Sequence, residues 1–199
     1  ERKTTSDQHK SLQSQINPHF LLNILQTIYA LSLEKSDKSP EVILQLSEIL
    51  KYTLYETEQP RIGLDKEIQQ IQNYVEMYRY RVDPERTVIK LIIEGDPEEL
   101  LIAPMLLIPF IENTFKHGLQ GEAGNSFIRI EIKILSKGLE FSTRNSTGAA
   151  NQLQADERKG IGIENTKQRL ELLYPGRHTL KTGKEGNEYV VNLKLELKD

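Results

Sequence analysis

The chain has 199 residues, 37% of them hydrophobic and 28% charged, which is an ordinary balance for a globular protein with one large domain or two small ones. Its 26 basic and 29 acidic residues give a net charge of −3, so no overall positive field exists to hold nucleic acid, and we expect no nucleic-acid partner. The absence of cysteine excludes disulfides, thiolate metal sites and a cysteine nucleophile.

No segment has the length and composition of a membrane helix. The longest apolar run, residues 100–111, contains Pro104 and Pro109 and is shorter than the roughly 18 to 20 residues that a bilayer requires. The chain begins with Glu1 in a charged segment, without a Met start or a signal-peptide pattern. These features favour a cytosolic piece of a longer protein.

The first eighty residues are predicted to be helical, because glycine is scarce and apolar residues recur at steps of three and four. The first apolar stripe comprises Leu12, Ile16, Phe20, Ile24, Ile28 and Leu31. Asn17 and Pro18 favour either a capped helix start, with His19 in the first turn, or a kink in a continuous helix. Further helices are predicted from Pro40 and from about Leu64, the second with an apolar seam of Leu64, Ile68, Ile71, Val75 and Tyr78. Their apolar faces must pack on one another or on a second copy, and a dimeric helical bundle is the natural outcome.

The pattern changes after Asp83-Pro84, where residues 87–93 are β-branched and short enough for a strand. The elements predicted next are a helix over 104–117, a hairpin over 127–135 and 139–143, a polar loop over 145–160, a helix over 161–174 and strands over 178–182 and 189–197. Strands and helices that alternate after an all-helical start predict an α+β protein. We expect a helical bundle in residues 1–84 and an α/β sandwich in residues 85–199.

A polar cluster lies on the helix predicted over 104–117. Glu112, Asn113, Lys116 and His117 stand at positions i, i+1, i+4 and i+5, so they share one half of the helix surface. A carboxylate, an amide, a cation and an imidazole together suit a metal-bound polyphosphate. They equally suit a solvated helix end with Gly118 as the C-cap and two basic residues near the negative end of the helix dipole.

Gly160-Ile161-Gly162 opens the next predicted helix, after the long polar segment. Backbone N–H groups exposed at such a helix start can receive phosphate oxygens, although the two glycines also fit a simple hinge. The sequence contains neither a Walker-type Gly-x-x-x-x-Gly-Lys motif nor a protein-kinase catalytic loop. A P-loop fold and a Ser/Thr kinase fold are therefore excluded.

Three segments, in the expected order, resemble motifs of the LytS-like sensor histidine kinases. Residues 13–23, Gln-Ser-Gln-Ile-Asn-Pro-His-Phe-Leu-Leu-Asn, resemble the phosphoacceptor box of that family. Residues 104–119 resemble the N-box region of its GHKL (Bergerat-fold) ATPase domain, and residues 160–173 resemble its second glycine box with the following helix. The resemblance covers nearly the whole chain and implies an N-terminal dimerisation and phosphoacceptor domain followed by a Bergerat-fold domain.

The resemblance implies a protein histidine kinase that uses ATP and Mg²⁺. His19 would attack the γ-phosphate of ATP, and an Asp of a response regulator would then take the phosphoryl group. The remaining implied roles are Glu112 as the N-box acid, Asn113 as the Mg²⁺ ligand, Lys116 and His117 near the phosphates, Gly160 and Gly162 at the phosphate-side end of the ATP lid, and Arg169 as the family's arginine after the lid, without a derived role.

Partners and location also follow from the resemblance. It implies a homodimer formed through the N-terminal helices and a response regulator with a receiver domain as the second partner. It further implies the cytoplasmic portion of a receptor in the cytoplasmic (inner) membrane, attached only through a sensor region absent from this chain.

One segment departs from the family pattern. The family usually carries Asp-x-Gly-x-Gly after the second hairpin strand, where the Asp accepts a hydrogen bond from the adenine amino group, whereas this chain has Asn145-Ser146-Thr147-Gly148-Ala149. Asn145 can still accept that bond, but without charge assistance, a loss of ~1 kcal/mol or more. An active kinase and a degenerate nucleotide-binding pseudokinase that signals by conformational change therefore both remain open. A third hypothesis, ATP hydrolysis using Glu112, does not require the His19 box.

Overall fold

The computed structural model describes residues 18–119, 126–147 and 161–198, and the chain divides into two compact units, residues 1–60 and 61–199. The first unit contains helix α1 (Pro18–Leu33), helix α2 (Ser39–Tyr55) and a 3-10 turn (Glu56–Glu58). Pro40 lies in the first turn of α2, as predicted. The residues before Pro18, including Leu12, Ile16 and Asn17, lie outside the described residues.

The two helices of the first unit contact each other and divide their apolar residues between the interior and the surface. The buried apolar side chains are Phe20, Ile24, Val42, Leu46, Ile49 and Tyr52. The exposed ones are Leu22, Leu25, Tyr29 and Leu33 on α1, with Ile43, Leu44, Leu54 and Tyr55 on α2, each 47–68% exposed. So much exposed apolar surface on two short helices is typical of a protein interface.

The second unit is built on a five-stranded sheet. Its elements are β1 (Ile62–Gly63), α3 (Leu64–Arg79), β2 (Thr87–Glu94), β3 (Leu101–Ile102), α4 (Ile108–Gly118), β4 (Ser126–Leu135), β5 (Gly138–Ser146), α5 (Ile161–Leu173), β6 (His178–Glu185) and β7 (Glu188–Glu196). The strand order is β2-β4-β5-β7-β6, with β2 parallel to β4 and the other pairs antiparallel. The short strands β1 and β3 form a separate antiparallel pair. The predicted α+β class, with helices followed by an α/β sandwich, is confirmed.

Helix α4 lies along strand β5, and contacts between them recur every four residues of the helix and every two residues of the strand. Phe110 packs near Phe141, with ring centroids 5.9 Å apart, and one helical turn later the hydroxyl groups of Thr114 and Thr143 are hydrogen-bonded to each other at 2.8 Å. One more turn brings Gly118 against Asn145. Four helical residues advance about 6 Å and two strand residues about 6.7 Å, so the two elements stay in step over three contacts.

The unit boundary at residues 60 and 61 differs from the boundary predicted at 84 and 85. Helix α3 explains the difference, because it contacts α4, β2 and β3 of the second unit. The apolar seam predicted for it, Leu64, Ile68, Ile71, Val75 and Tyr78, is buried throughout. Sequence periodicity identified the buried face of this helix but not the sheet domain on which it packs.

Two further boundaries differ from prediction. Helix α4 begins at Ile108, not near Pro104, and Pro109 is the proline that occupies its first turn. The loop predicted from residue 145 begins later, because β5 continues to Ser146 and Asn145 is fully buried in it. Residues 148–160 lie outside the described residues. No helix in the described ranges is long and apolar enough to cross a membrane.

Candidate functional site

The polar half of α4 carries the four side chains predicted to meet a metal-bound polyphosphate. Glu112, Asn113 and His117 are half-buried, and Lys116 is exposed. Burial lowers the pKa of His117, and the adjacent Lys116 charge lowers it further, so the imidazole is neutral at neutral pH. This surface offers a carboxylate, an amide and a neutral imidazole beside one exposed cation.

Aromatic packing from α3 supports the opposite half of α4. Phe115 stacks on Tyr78, with ring centroids 3.9 Å apart and ring planes at 4°. Burial, and then the Glu112 carboxylate, raise the pKa of Tyr78 and of Tyr74. Both phenols therefore keep their protons, and the Glu112 charge lies near two buried neutral hydroxyl groups.

The C-terminal end of α4 meets Asn145 at the end of β5. The Asn145 Nδ2 donates to the Ser146 carbonyl at 3.0 Å, whereas its buried Oδ1 has no hydrogen-bond partner among the residues that the structure describes. Gly118 makes this approach possible, since a Cβ there would lie 3.1 Å from the Asn145 Cβ and 3.0 Å from the Ile128 Cγ1. An unsatisfied buried acceptor costs about 1–3 kcal/mol and is suited to a donor supplied by a ligand.

Residues 103–107 form the loop that leads into α4, and Arg169 of α5 binds it by two hydrogen bonds. The guanidinium donates to the carbonyl of Pro104 at 2.9 Å and to that of Met105 at 3.2 Å. Met105 has a φ of 55°, in the left-handed region that non-glycine residues rarely adopt. Arg169, whose role could not be derived from the sequence, thus connects the helix after the predicted lid to the start of the predicted nucleotide-binding helix.

Glu67 of α3 binds the same loop from another helix. Its side chain is fully buried and accepts from the N–H of Met105 at 3.0 Å and from the N–H of Leu107 at 3.1 Å. Sequence reasoning missed this residue, although a carboxylate directly beside the buried Ile68 and one turn after Leu64 is itself a signal. A charge within an apolar stripe needs buried partners.

Tyr174, just after α5, holds the beginning of the loop. Its hydroxyl accepts from the Ala103 N–H at 2.8 Å and from Arg61 Nη1 at 3.3 Å. The guanidinium groups of Arg61 and Arg177 lie 4.8 Å and 5.7 Å from the ring centroid. These contacts favour a fixed tyrosine through cation–π attraction as well as hydrogen bonding.

The structure brings some of the predicted site residues together and leaves others apart. Glu112, Asn113, Lys116 and His117 share α4, and Asn145 lies at the end of that helix. Gly162 lies in the first turn of α5, with open space where a Cβ would be, while Gly160 is outside the described residues. His19 lies in the first turn of α1, in the other unit.

The donor set of the second unit fits a magnesium ion carried by a nucleotide better than a cage made by the protein. Among the described residues, no group of three or more His, Cys, Asp or Glu side chains could hold a metal ion. Mg²⁺ is usually bound through one or two protein ligands together with substrate phosphates and water. Glu112 and Asn113, adjacent and half-buried on α4, can supply oxygens for that arrangement.

Comparisons with known proteins show which proteins the chain resembles. Residues 7–86 match the family model described as histidine kinase. The chain is 31% identical to the sensor protein LytS of Staphylococcus haemolyticus over 175 residues, covering 83% of this chain and 30% of LytS. It is also 31% identical to the sensor histidine kinase YpdA of Escherichia coli over 194 residues, covering 92% of this chain and 34% of YpdA. The chain thus spans about a third of the length of these relatives.

A solved structure of a bacterial phosphotransferase matches with a TM-score of 0.50 and 10% identity, covering 97% of this chain and 98% of that one. At that identity the match concerns the fold alone. It agrees with the α+β class observed here.

Proposed function

The chain belongs to the histidine kinase family and is LytS-like over most of its length, and on that premise we propose that it is the catalytic region of a two-component sensor kinase. In this proposal the chain uses Mg-ATP to phosphorylate His19 and passes the phosphoryl group to an Asp of a response regulator. The observation that carries the proposal is the buried Oδ1 of Asn145 at the end of the polar helix α4, which has no hydrogen-bond partner in the described part of the chain.

Asn145 supports an adenine nucleotide because its amide is oriented by a neighbour. Nδ2 already donates to the Ser146 carbonyl, and no donor within residues 18–119, 126–147 and 161–198 bonds Oδ1, which is left as an acceptor. The exocyclic amino group of adenine is a donor, so it would satisfy this atom, whereas a base with a carbonyl at that position would not. The Asn that departs from the family's Asp thus keeps the acceptor function.

The other proposed roles follow from the order of groups along α4. Gly118, the residue of α4 that meets Asn145, follows Lys116 by about half a helical turn and follows Asn113 and Glu112 by roughly one and a half turns. These three residues are proposed to meet the phosphates and Mg²⁺ together with His117. The metal would supply charge neutralisation on the phosphate oxygens, and Lys116 a further positive charge. Gly160 and Gly162 are proposed to offer backbone N–H groups at the phosphate side.

The proposed reaction uses His19 of the first unit and the nucleotide-binding residues of the second. A nitrogen of the neutral His19 imidazole attacks the γ-phosphorus, a P–N bond forms, and the bond from phosphorus to the β–γ bridging oxygen breaks to release ADP. In the second step an Asp carboxylate of the response regulator attacks the phosphohistidine, so that an acyl phosphate forms and His19 is regenerated.

A homodimer is the proposed assembly, because α1 and α2 expose apolar residues that a second copy would cover. The proposed location is the cytoplasmic side of the cytoplasmic membrane, with attachment through a sensor region outside this sequence.

The direct test is incubation of the chain with Mg²⁺ and γ-labelled ATP. Acid-labile, alkali-stable label is expected on the wild type, and none on His19→Gln. Asn113→Ala is expected to reduce labelling while leaving His19 intact. Label that persists in His19→Gln would show that another residue is the acceptor.

The departure at Asn145 also favours a second candidate, a pseudokinase module that binds nucleotide and signals without phosphoryl transfer. Calorimetry with a non-hydrolysable ATP analogue separates the two when it is combined with the labelling experiment. Mg-dependent binding without any label would support the pseudokinase. Binding together with label on His19 would support the kinase.

A further inference from the structure

We infer that Glu67 and Arg169 are positioning residues. They hold residues 104–107 of the loop 103–107 from two different helices and thereby fix where α4 begins, and so where Glu112 and Asn113 lie. The inference rests on the proposed function for its effect on nucleotide binding. The hydrogen bonds that carry it are those of Glu67 to the N–H groups of Met105 and Leu107, and those of Arg169 to the carbonyls of Pro104 and Met105.

Glu67 acts on the start of the helix itself. Leu107 is the N-cap residue of α4, and its own side chain makes no cap hydrogen bond. The Glu67 carboxylate instead accepts the N–H of Leu107, and it brings a negative charge to the helix end that favours one. A side chain from α3 therefore takes the part that the Glu or Gln of a local capping box usually plays, because that residue also accepts the N–H of the N-cap residue.

The burial of Glu67 argues for positioning rather than for stability. A fully buried carboxylate loses its hydration, and replacing such groups by apolar ones of similar volume is often neutral or stabilising. What an apolar side chain cannot do is fix two backbone N–H groups in one place. The Glu67 carboxylate lies at the N-terminal end of α4, the helix that carries the proposed Mg²⁺ and phosphate ligands.

Arg169 adds a connection from the other side of the proposed site. It lies on α5, two turns after Gly162, and its planar guanidinium donates to two successive carbonyls. The loop is thereby fixed to the helix that follows the predicted lid. Met105, which is hydrogen-bonded to both Glu67 and Arg169, has a φ of 55°, a conformation that persists only where surrounding contacts determine it.

The test uses Glu67→Gln and Arg169→Lys in the full 199-residue chain. Gln keeps the size of Glu67 but presents one NH₂ group where two acceptors are needed, and Lys keeps the charge of Arg169 without its fork geometry. Glu76→Gln and Arg79→Lys are matched controls, because both residues lie on the exposed side of α3 and pair with each other at 3.1 Å. Circular dichroism and thermal unfolding identify variants that are folded at the assay temperature.

The first measurement is calorimetric titration with a non-hydrolysable ATP analogue, with and without Mg²⁺. We expect Kd for the Mg-nucleotide to rise about 10- to 100-fold in both variants, the usual effect of removing a group that orients a ligand, and to stay within twofold in the controls. Combining Glu67→Gln with Asn113→Ala should raise Kd by less than the product of the two single increases, because Glu67 is inferred to act by positioning the Asn113 side chain that the second substitution removes. Folded variants with unchanged Kd would overturn the inference.

The second measurement needs no nucleotide. Amide hydrogen exchange of residues 105–111 should accelerate about tenfold in Glu67→Gln and stay unchanged in Glu76→Gln. Unchanged exchange in Glu67→Gln would overturn the positioning role. If exchange accelerates in Glu67→Gln, the positioning of α4 by Glu67 is supported. If the wild type also binds no Mg-nucleotide, the proposed function is overturned while the positioning role stands.

Discussion

Gly118 lies directly against Asn145, so closely that a Cβ at position 118 would be 3.1 Å from the Asn145 Cβ. This contact joins the last residue of α4 to the buried amide at the end of β5. The shape of the proposed adenine site at Asn145 therefore depends on the absence of a side chain at Gly118.

Gly118→Ala is expected to weaken nucleotide binding and to destabilise the fold modestly. The new methyl group would also lie 3.0 Å from Ile128, so either Asn145 or Ile128 must move. Crowding costs about 1–3 kcal/mol, and the higher helix propensity of Ala returns up to about 1 kcal/mol of it. Urea unfolding and nucleotide titration measure both effects. Gly183→Ala is the control, because nothing lies within 4 Å of a Cβ there, and a similar loss in that variant would contradict the explanation.

Asn145→Ala is expected to abolish nucleotide binding while changing the stability of the unliganded fold only slightly. The variant loses the hydrogen bond to the Ser146 carbonyl but also removes an acceptor that no described residue satisfies, so the free energy of unfolding of the unliganded protein should change by no more than about 1 kcal/mol. The rise in Tm caused by an ATP analogue should disappear, and thermal shift assays measure both quantities. A full ligand-induced rise in Tm would show that Asn145 does not read the base.

His117 is expected to make stability depend on pH in the weakly acidic range. Burial lowers its pKa in the folded state below the ordinary value of 6.5, so the unfolded chain takes up a proton first as the pH falls. The stability contributed by the neutral imidazole is complete above about pH 6.5 and declines as the pH falls from there through the lowered folded-state pKa. Urea unfolding at several pH values should show this decline in the wild type and less of it in His117→Gln. Equal pH dependence in the two proteins would assign the decline to other groups.

Nucleotide binding should act on the same histidine in the opposite direction. If the phosphates approach His117 as proposed, their negative charge raises its pKa, and binding below neutral pH takes up protons. Calorimetry in buffers of different ionisation enthalpy measures that uptake. His117→Gln should bind with less proton uptake, and an unchanged uptake would place the phosphates elsewhere.

Tyr29→Glu is expected to convert the proposed dimer into monomers. Tyr29 is 66% exposed on α1, so a charge there should change the stability of a single copy by less than about 0.5 kcal/mol. In a dimer interface the same charge would be buried without a partner. Sedimentation velocity measures the assembly. Glu41→Lys, at an exposed polar position of α2, is the matched control and should leave the dimer intact.

Periodicity predicted the elements well where the apolar pattern is long. The spacing of Leu64, Ile68 and Ile71 identified the buried face of α3, and the β-branched run from Thr87 identified β2. Periodicity did not predict the two-residue strands β1 and β3, because two residues carry no period. It also placed the domain boundary after α3, since a helical pattern does not reveal which domain the helix packs on.

The site was predicted in part, and the misses have a common cause. The motifs selected Glu112, Asn113 and Asn145, whose roles remain predictions, and the structure adds that Asn145 is buried in a strand. The contacts of Glu67 and Arg169 reach 38 to 65 residues along the chain to a loop whose conformation no local pattern specifies. Local sequence signals identify groups that bear chemistry more readily than the side chains that orient them.

The three matched contacts between α4 and β5 also restrict how this region can change length. Inserting one residue between Thr114 and Gly118 would turn the rest of the helix by about 100° and bring a side chain over Asn145 in place of the glycine. Inserting one residue between Thr143 and Asn145 would turn the amide to the opposite face of the sheet. Insertions and deletions within Phe110–Gly118 or Phe141–Asn145 should therefore be poorly tolerated, and a chimera between related members of the family should exchange these two segments together.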